Sequence, residues 1–222
     1  MHIEPGFVTP AKVLMANAGA LTVVAWAAKD HLKSLSELPW MAAKTVLAAA
    51  FFTVFMQSFH MPVGPSELHF VGAMAIYLTL GFLPTLLGFG LGLAVQGALF
   101  APADLVHLGV NALSLMAPLV AVHYAGGRRM FDGGRAPRVN WSNIVKLDAA
   151  YYSGVTAMVG FWLWFGGEQT AFADWLAFAA SYAAVVAVEP FVTLAAVKAL
   201  KAAEGQGWVR RLFTTGALNT AN

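Results

Sequence analysis

The first two residues carry three nitrogens that one metal ion could share: the α-amine of Met1, the amide nitrogen of His2 and His2 Nδ1. Binding all three closes a five-membered and a six-membered ring. A fourth nitrogen from elsewhere would complete a square plane, the geometry favoured by Ni(II) and Cu(II). A two-residue motif is a hypothesis that needs that fourth donor. Five more histidines follow, His31, His60, His69, His107 and His123, and there is no cysteine. Disulfides and thiolate sites for zinc or iron–sulfur are thereby excluded. Neutral imidazole suits nickel, cobalt, copper and zinc alike, so the number of histidines does not choose the metal. Histidine in second place is too large for the usual removal of an initiator methionine. Met1 is therefore expected to stay, with its amine free once deformylated.

The elements that must hold these nitrogens are apolar. Of 222 residues, 59% are hydrophobic and 11% charged, with a mean hydropathy of +0.67. A soluble domain carries about a quarter charged residues. The composition predicts an all-α integral membrane protein, multi-pass in the cell membrane, and a net charge of +2 gives no reason to expect nucleic acid. A crossing needs about 20 apolar residues, somewhat fewer where the helix is recessed in protein. Seven spans are expected, at 12–28, 40–58, 68–83, 85–101, 107–125, 145–166 and 174–199. Residues 70–102 lack any charge and would rise about 50 Å as one helix, far too long for a single crossing. Gly81, Pro84, Gly88, Gly90 and Gly92 are expected to break that run near its middle. The whole is one membrane domain, with an outer N-terminus at 1–11, the spans within 12–199 and a cytoplasmic tail at 200–222.

Cytoplasmic loops gather lysine and arginine. Seven spans place Lys29, Lys33, Lys44, Arg128, Arg129, Arg135, Arg138, Lys146, Lys198, Lys201, Arg210 and Arg211 on one side and Lys12 alone on the other. The N-terminus is therefore expected outside and the C-terminus inside. The basic loop follows the first apolar run and Glu4 precedes it, which favours an uncleaved helix over a signal peptide. The outer side also gathers Glu4, Glu67, Asp104, Glu168 and Asp174, an acidic rim that would attract a cation or simply be solvated.

This topology sorts the histidines. His31 and His123 fall towards the cytoplasm as interfacial side chains, while His2, His60, His69 and His107 share the outer side. Asp148 and Glu189 lie at membrane depth, where a carboxyl marks function or a polar packing network. Pro190 deprives the Val186 carbonyl of its helical donor, and a protonated Glu189 could donate to such an orphan. Gln96 and Asn111 are expected to hydrogen-bond between helices. Ala16, Ala18, Gly19 and Ala20 would allow close approach of another helix, in this chain or in a partner. No phosphate-binding loop, zinc-protease helix or nucleophile elbow is present, so the chain has no ATPase motif of its own and no signature of an enzyme.

Four blocks, taken in order, resemble the CbiM/NikM type of substrate-binding subunit, the S component of energy-coupling-factor (ECF) importers for cobalt and nickel. The start MHIEPGF is similar to the family's Met-His-Ile-(Met)-Glu-Gly-Phe, with Pro5 before Gly6. PVGPSELHFVG is similar to its outer loop ending in histidine, at His69. GFLPTLLGFGLGLAVQGALF matches its glycine- and glutamine-bearing block at Gln96, and LGVNALSLM its asparagine block at Gly109, Asn111 and Met116. Glu189 stands where the family has a glutamate in its final helix. APADLVHLG, with His107, replaces the family's glycine-rich turn, and FHMP adds His60.

The resemblance implies a subunit that takes Ni2+ or Co2+ as transported substrate, with no catalytic cofactor. Its ligands would be the Met1 amine, the His2 amide nitrogen and Nδ1, and an imidazole nitrogen of His69. Ser66, His107 and Asn111 are candidates to orient them. It also implies a transmembrane coupling subunit and an ATPase pair as partners, and leaves room for a small accessory membrane subunit. The basic face would meet the coupling subunit or anionic membrane lipid. Two alternatives stand beside this reading. One is a stand-alone metal permease driven through Glu189. The other is a redox or haem protein using His60 and His123, which the expected topology puts on opposite faces.

Overall fold

Pro10 begins the first helix, α1 (Pro10–Ala28), behind an extended Thr9, where a missing N–H costs no helical hydrogen bond. The same device, with Pro39, starts α2 (Leu38–Ser58). The computed structural model describes residues 3, 8–29, 35–64, 66–135, 137–165 and 171–220. After α2 comes an antiparallel hairpin of β1 (His60–Val63) and β2 (Ser66–His69), in which His60 pairs with His69. Helices α3 (Ala73–Leu80), α4 (Phe82–Leu99) and α5 (Leu108–Ala125) follow, a 3-10 turn at Pro102–His107 leading into α5. The short β3 (Arg138–Val139) precedes α6 (Trp141–Trp164), which Asn140 caps by accepting from the Asn143 N–H at 2.9 Å. The chain ends in α7 (Phe172–Ala202), α8 (Gly207–Leu212) and β4 (Asn219–Thr220), which lies parallel to β3.

The packing is that of a bundle with its polarity turned towards lipid. On α1, Leu14 and Leu21 are more than 70% exposed while Lys12, Ala16, Ala20 and Ala27 are buried. A helix that is apolar all round and keeps its polar residue inside belongs in a membrane. Among the described residues, five segments are long and apolar enough to cross one: Pro10–Ala28, Leu38–Ser58, Phe82–Leu99, Pro102–Ala125 and Phe172–Ala202. By the same measure α6 has the length but less apolarity. The chain is thus a multi-pass, mostly helical membrane protein.

The third expected span is corrected. Residues 68 and 69 belong to β2, and the helix starts only at Ala73, giving eight residues and a rise of about 12 Å. All eight residues of α3 are buried, so their apolarity reflects a protein interior and not lipid. The expected break is also narrower than the glycine cluster suggests. It is Gly81 alone, at φ 90°, between α3 and α4. Gly88 and Gly92 lie inside α4 and face α2: a Cβ on Gly88 would sit 2.4 Å from the Ala48 Cβ. On α1, Ala16 and Ala20 are buried and Gly19 lies under the Leu113 side chain of α5, with Gly109 of α5 over Asn17, while Ala18 is exposed.

Candidate metal centre

Met1 and His2 lie outside the described residues, as do His31, Glu4 and Glu168. The next residue, Ile3, is described, and it is anchored on three sides. Its N–H donates to Asn111 Oδ1 at 3.2 Å, from one turn into α5. Its carbonyl accepts from His107 Nδ1 at 3.0 Å, a carbonyl having no proton to give. It also forms an antiparallel bridge with Ser66, the first residue of β2. Ile3 is 1% exposed, and Ser66, His107 and Asn111 are all buried. The three residues singled out from the sequence as orienting groups therefore meet at one point, the residue that follows His2.

His69 closes the same strand that Ser66 opens. Its imidazole is buried, with Nε2 3.0 Å from Glu67 Oε2 and Nδ1 3.4 Å from the Met56 carbonyl. The hairpin register lays the exposed His60 ring over it, with centroids 5.9 Å apart and planes 25° from parallel. Both nitrogens thus face oxygen, and a cation arriving at Nε2 would have to replace the Glu67 contact. The pairing of Glu67 with His69 was not legible from the sequence, where Glu67 read as one rim acid among several. Among the described residues, no three histidine or acidic side chains converge as an ion-holding group.

Two polar expectations differ in the structure. Glu189, fully buried in α7, accepts with both oxygens: Oε1 from the Met74 N–H at 3.0 Å and Oε2 from the Tyr152 hydroxyl. It is not a donor to an orphan carbonyl. The reason is local, because the first turn of α3 offers a free N–H and Tyr152 offers a hydroxyl within reach. Asp148, one turn before Tyr152 on α6, faces Glu189 carboxyl to carboxyl. Gln96 Oε1 lacks a partner among the described residues, whereas Asn111 serves Ile3.

The opposite end of the bundle is a different environment. His123 accepts or donates at Nδ1 to the Tyr77 hydroxyl at 2.8 Å and stacks on Phe82 at 4.1 Å, so it is more than an interfacial side chain. It borders a cavity of about 590 Å³ whose lining includes Lys29, Lys44 and Glu37. Two lysines against one acid make that cavity a poor place for a metal ion. His60 stands with His69 at the other end, so the two do not share one haem.

A family described as the cobalt uptake substrate-specific transmembrane region matches residues 2–206. Among solved structures, a crystal structure of a transition metal transporter superposes with a TM-score of 0.70 at 21% identity, covering 95% of this chain and 97% of that one. A truncated transition metal transporter gives a TM-score of 0.67 at 21% identity, covering 93% and 100%. At that identity the likeness is one of fold. No curated protein matches the sequence.

Proposed function

Because the chain belongs to the cobalt uptake substrate-specific transmembrane family, we propose that it is the substrate-specific subunit of an energy-coupling-factor importer for Ni2+ or Co2+. The ion is held by the Met1 amine, the His2 amide nitrogen, His2 Nδ1 and an imidazole nitrogen of His69. The anchoring of Ile3 carries this reading. Covalent continuity keeps His2 about 3.8 Å in Cα travel from a residue fixed by Asn111, His107 and Ser66. Ser66 is on the strand that ends in His69. Holding Ile3 against the strand that ends in His69 reduces the freedom that binding would otherwise have to remove. Asn111, His107 and Ser66 act on the ion through the backbone they hold.

In this reading residues 1–11 form the outer terminus, the crossings fall within 12–199, and 200–222 are cytoplasmic. An ATPase pair and a transmembrane coupling subunit supply the energy, with a small accessory subunit as a further partner. The basic face meets the coupling subunit or anionic lipid.

The test is a Co2+ and Ni2+ titration of the purified chain with an authentic N-terminus. Acetylating or extending that terminus, or making His69→Ala, is expected to abolish binding. Affinity is expected to climb with pH, because amine, amide and imidazolium must release protons to become ligands. An extended chain that binds at full affinity refutes the chelate.

A further inference from the structure

Glu189 is buried in α7, far in sequence from the residues that would touch an ion, and the proposed chelate makes no use of it. What it does touch is the start of α3. The residue before that helix, Gly72, has no side chain to cap the first turn, and the helix is wholly buried, so water cannot serve either. The first N–H groups of a helix need an acceptor, and negative charge there is favourable. Glu189 Oε1 fills the need by accepting from the Met74 N–H at 3.0 Å, with the Gly72 N–H beside the same carboxyl. Tyr152 of α6 fixes the carboxyl by donating to its other oxygen.

The capped turn is short and leads straight to His69. Gly72 follows His69 by three residues, at φ 64°, with the Phe55 ring where a Cβ would be. The intervening Phe70 N–H bonds to the Phe59 carbonyl at 3.2 Å, continuing the hairpin. Helix α7 braces this segment a second time through Tyr182, two turns before Glu189. Tyr182 stacks on Tyr152 at 5.0 Å and lies against the His69 backbone. One helix thus supports the His69 segment from two heights, and the lower support is a carboxyl–amide hydrogen bond.

We propose that Glu189 is a positioning residue for metal binding: by capping α3 at Met74 while clamped by Tyr152, it sets the place of the His69 imidazole without touching the ion. The proposal rests on His69 being a ligand, as proposed above. The experiment uses the full chain with an unextended N-terminus. Co2+ affinity is measured for wild type, Glu189→Ala, Glu189→Gln, Tyr152→Phe and His69→Ala, with amide hydrogen exchange of residues 70–74 on the same samples. Glu189→Ala is expected to weaken binding about 10- to 100-fold, the range for lost support of a ligand. Glu189→Gln and Tyr152→Phe, each keeping one of the two contacts, should fall between it and wild type. Exchange at Met74 should quicken in the order of the affinity losses while that of α5 stays unchanged. Folded Glu189→Ala binding Co2+ as tightly as wild type, while His69→Ala does not, overturns the proposal. Should Glu189→Ala fail to fold, unaltered affinity in both milder variants does the same. His69→Ala binding normally would instead remove the ligand assignment, and this proposal with it. That failure shows itself in the His69 variant and not in the Glu189 ones.

Discussion

Gly72 is the residue on which the His69 segment turns. Its φ of 64° lies in the left-handed region that L side chains rarely adopt, and an added Cβ would stand 2.3 Å from Phe55 Cδ2. Gly72→Ala therefore combines backbone strain with a clash against a ring that is itself packed edge-on to Phe70 at 5.5 Å. The cost expected is about 1–3 kcal/mol, seen as a lower unfolding temperature in detergent together with weaker Co2+ binding. Alanine accepted there without either effect would mean that the turn does not hold His69. At this scale much of the candidate site was legible. Side-of-membrane sorting put His69 and His107 on the side of the N-terminus, and the family resemblance added Ser66 and Asn111; Ser66, His107 and Asn111 meet at Ile3, while His69 ends the strand that Ser66 begins. What was not legible were the partners that are backbone groups. Glu189 and Met74 are 115 positions apart, and an N–H leaves no mark in a sequence.

The helices obey a different rule, that of close approach. Gly88 and Gly92, four apart on α4, form a groove that receives α2. A Cβ on Gly92 would meet Phe52 Cδ1 at 2.5 Å, and one on Gly88 the Ala48 Cβ at 2.4 Å. Where no water is present to drive association, such fitted contacts hold helices together. Gly88→Val is expected to cost about 1–3 kcal/mol by overpacking, whereas Gly126→Ala, with nothing within 4 Å, should leave the unfolding temperature unchanged. Equal stability of the two variants would mean that α2 and α4 separate easily. The long helices were readable from uninterrupted apolar runs, whose ends the structure moves by a few residues. The hairpin and α3 were not, because an apolar run reads the same whether lipid or protein surrounds it. Only the burial of all eight α3 residues shows which it is. The glycines of α4 were read as a break for a related reason, since sequence alone does not tell a glycine that bends a helix from one that admits a neighbour.

Across the whole molecule, α3 is a buried rod held at both ends by different parts of the chain. Glu189 holds the end near His69, and the C-terminal segment holds the other. The Thr214 N–H donates to the Thr79 carbonyl at 2.8 Å and its hydroxyl to the Leu78 carbonyl at 3.1 Å, satisfying acceptors that the helix end leaves open. Lys201 donates to the Thr215 carbonyl at 3.1 Å, and β4 pairs with β3, so the segment is itself tied to α7 and to the entry of α6. The family match ends at residue 206, before this strap begins. Deleting residues 207–222 removes both Thr214 contacts and the β3–β4 pair, and should lower the unfolding temperature in detergent. Co2+ affinity should fall less than in Glu189→Ala, because the Met74 cap belongs to α7 and survives the deletion. An equal fall in affinity would mean that α3 moves as one body between its two holds, so that loosening the far end displaces His69 as surely as loosening the near one.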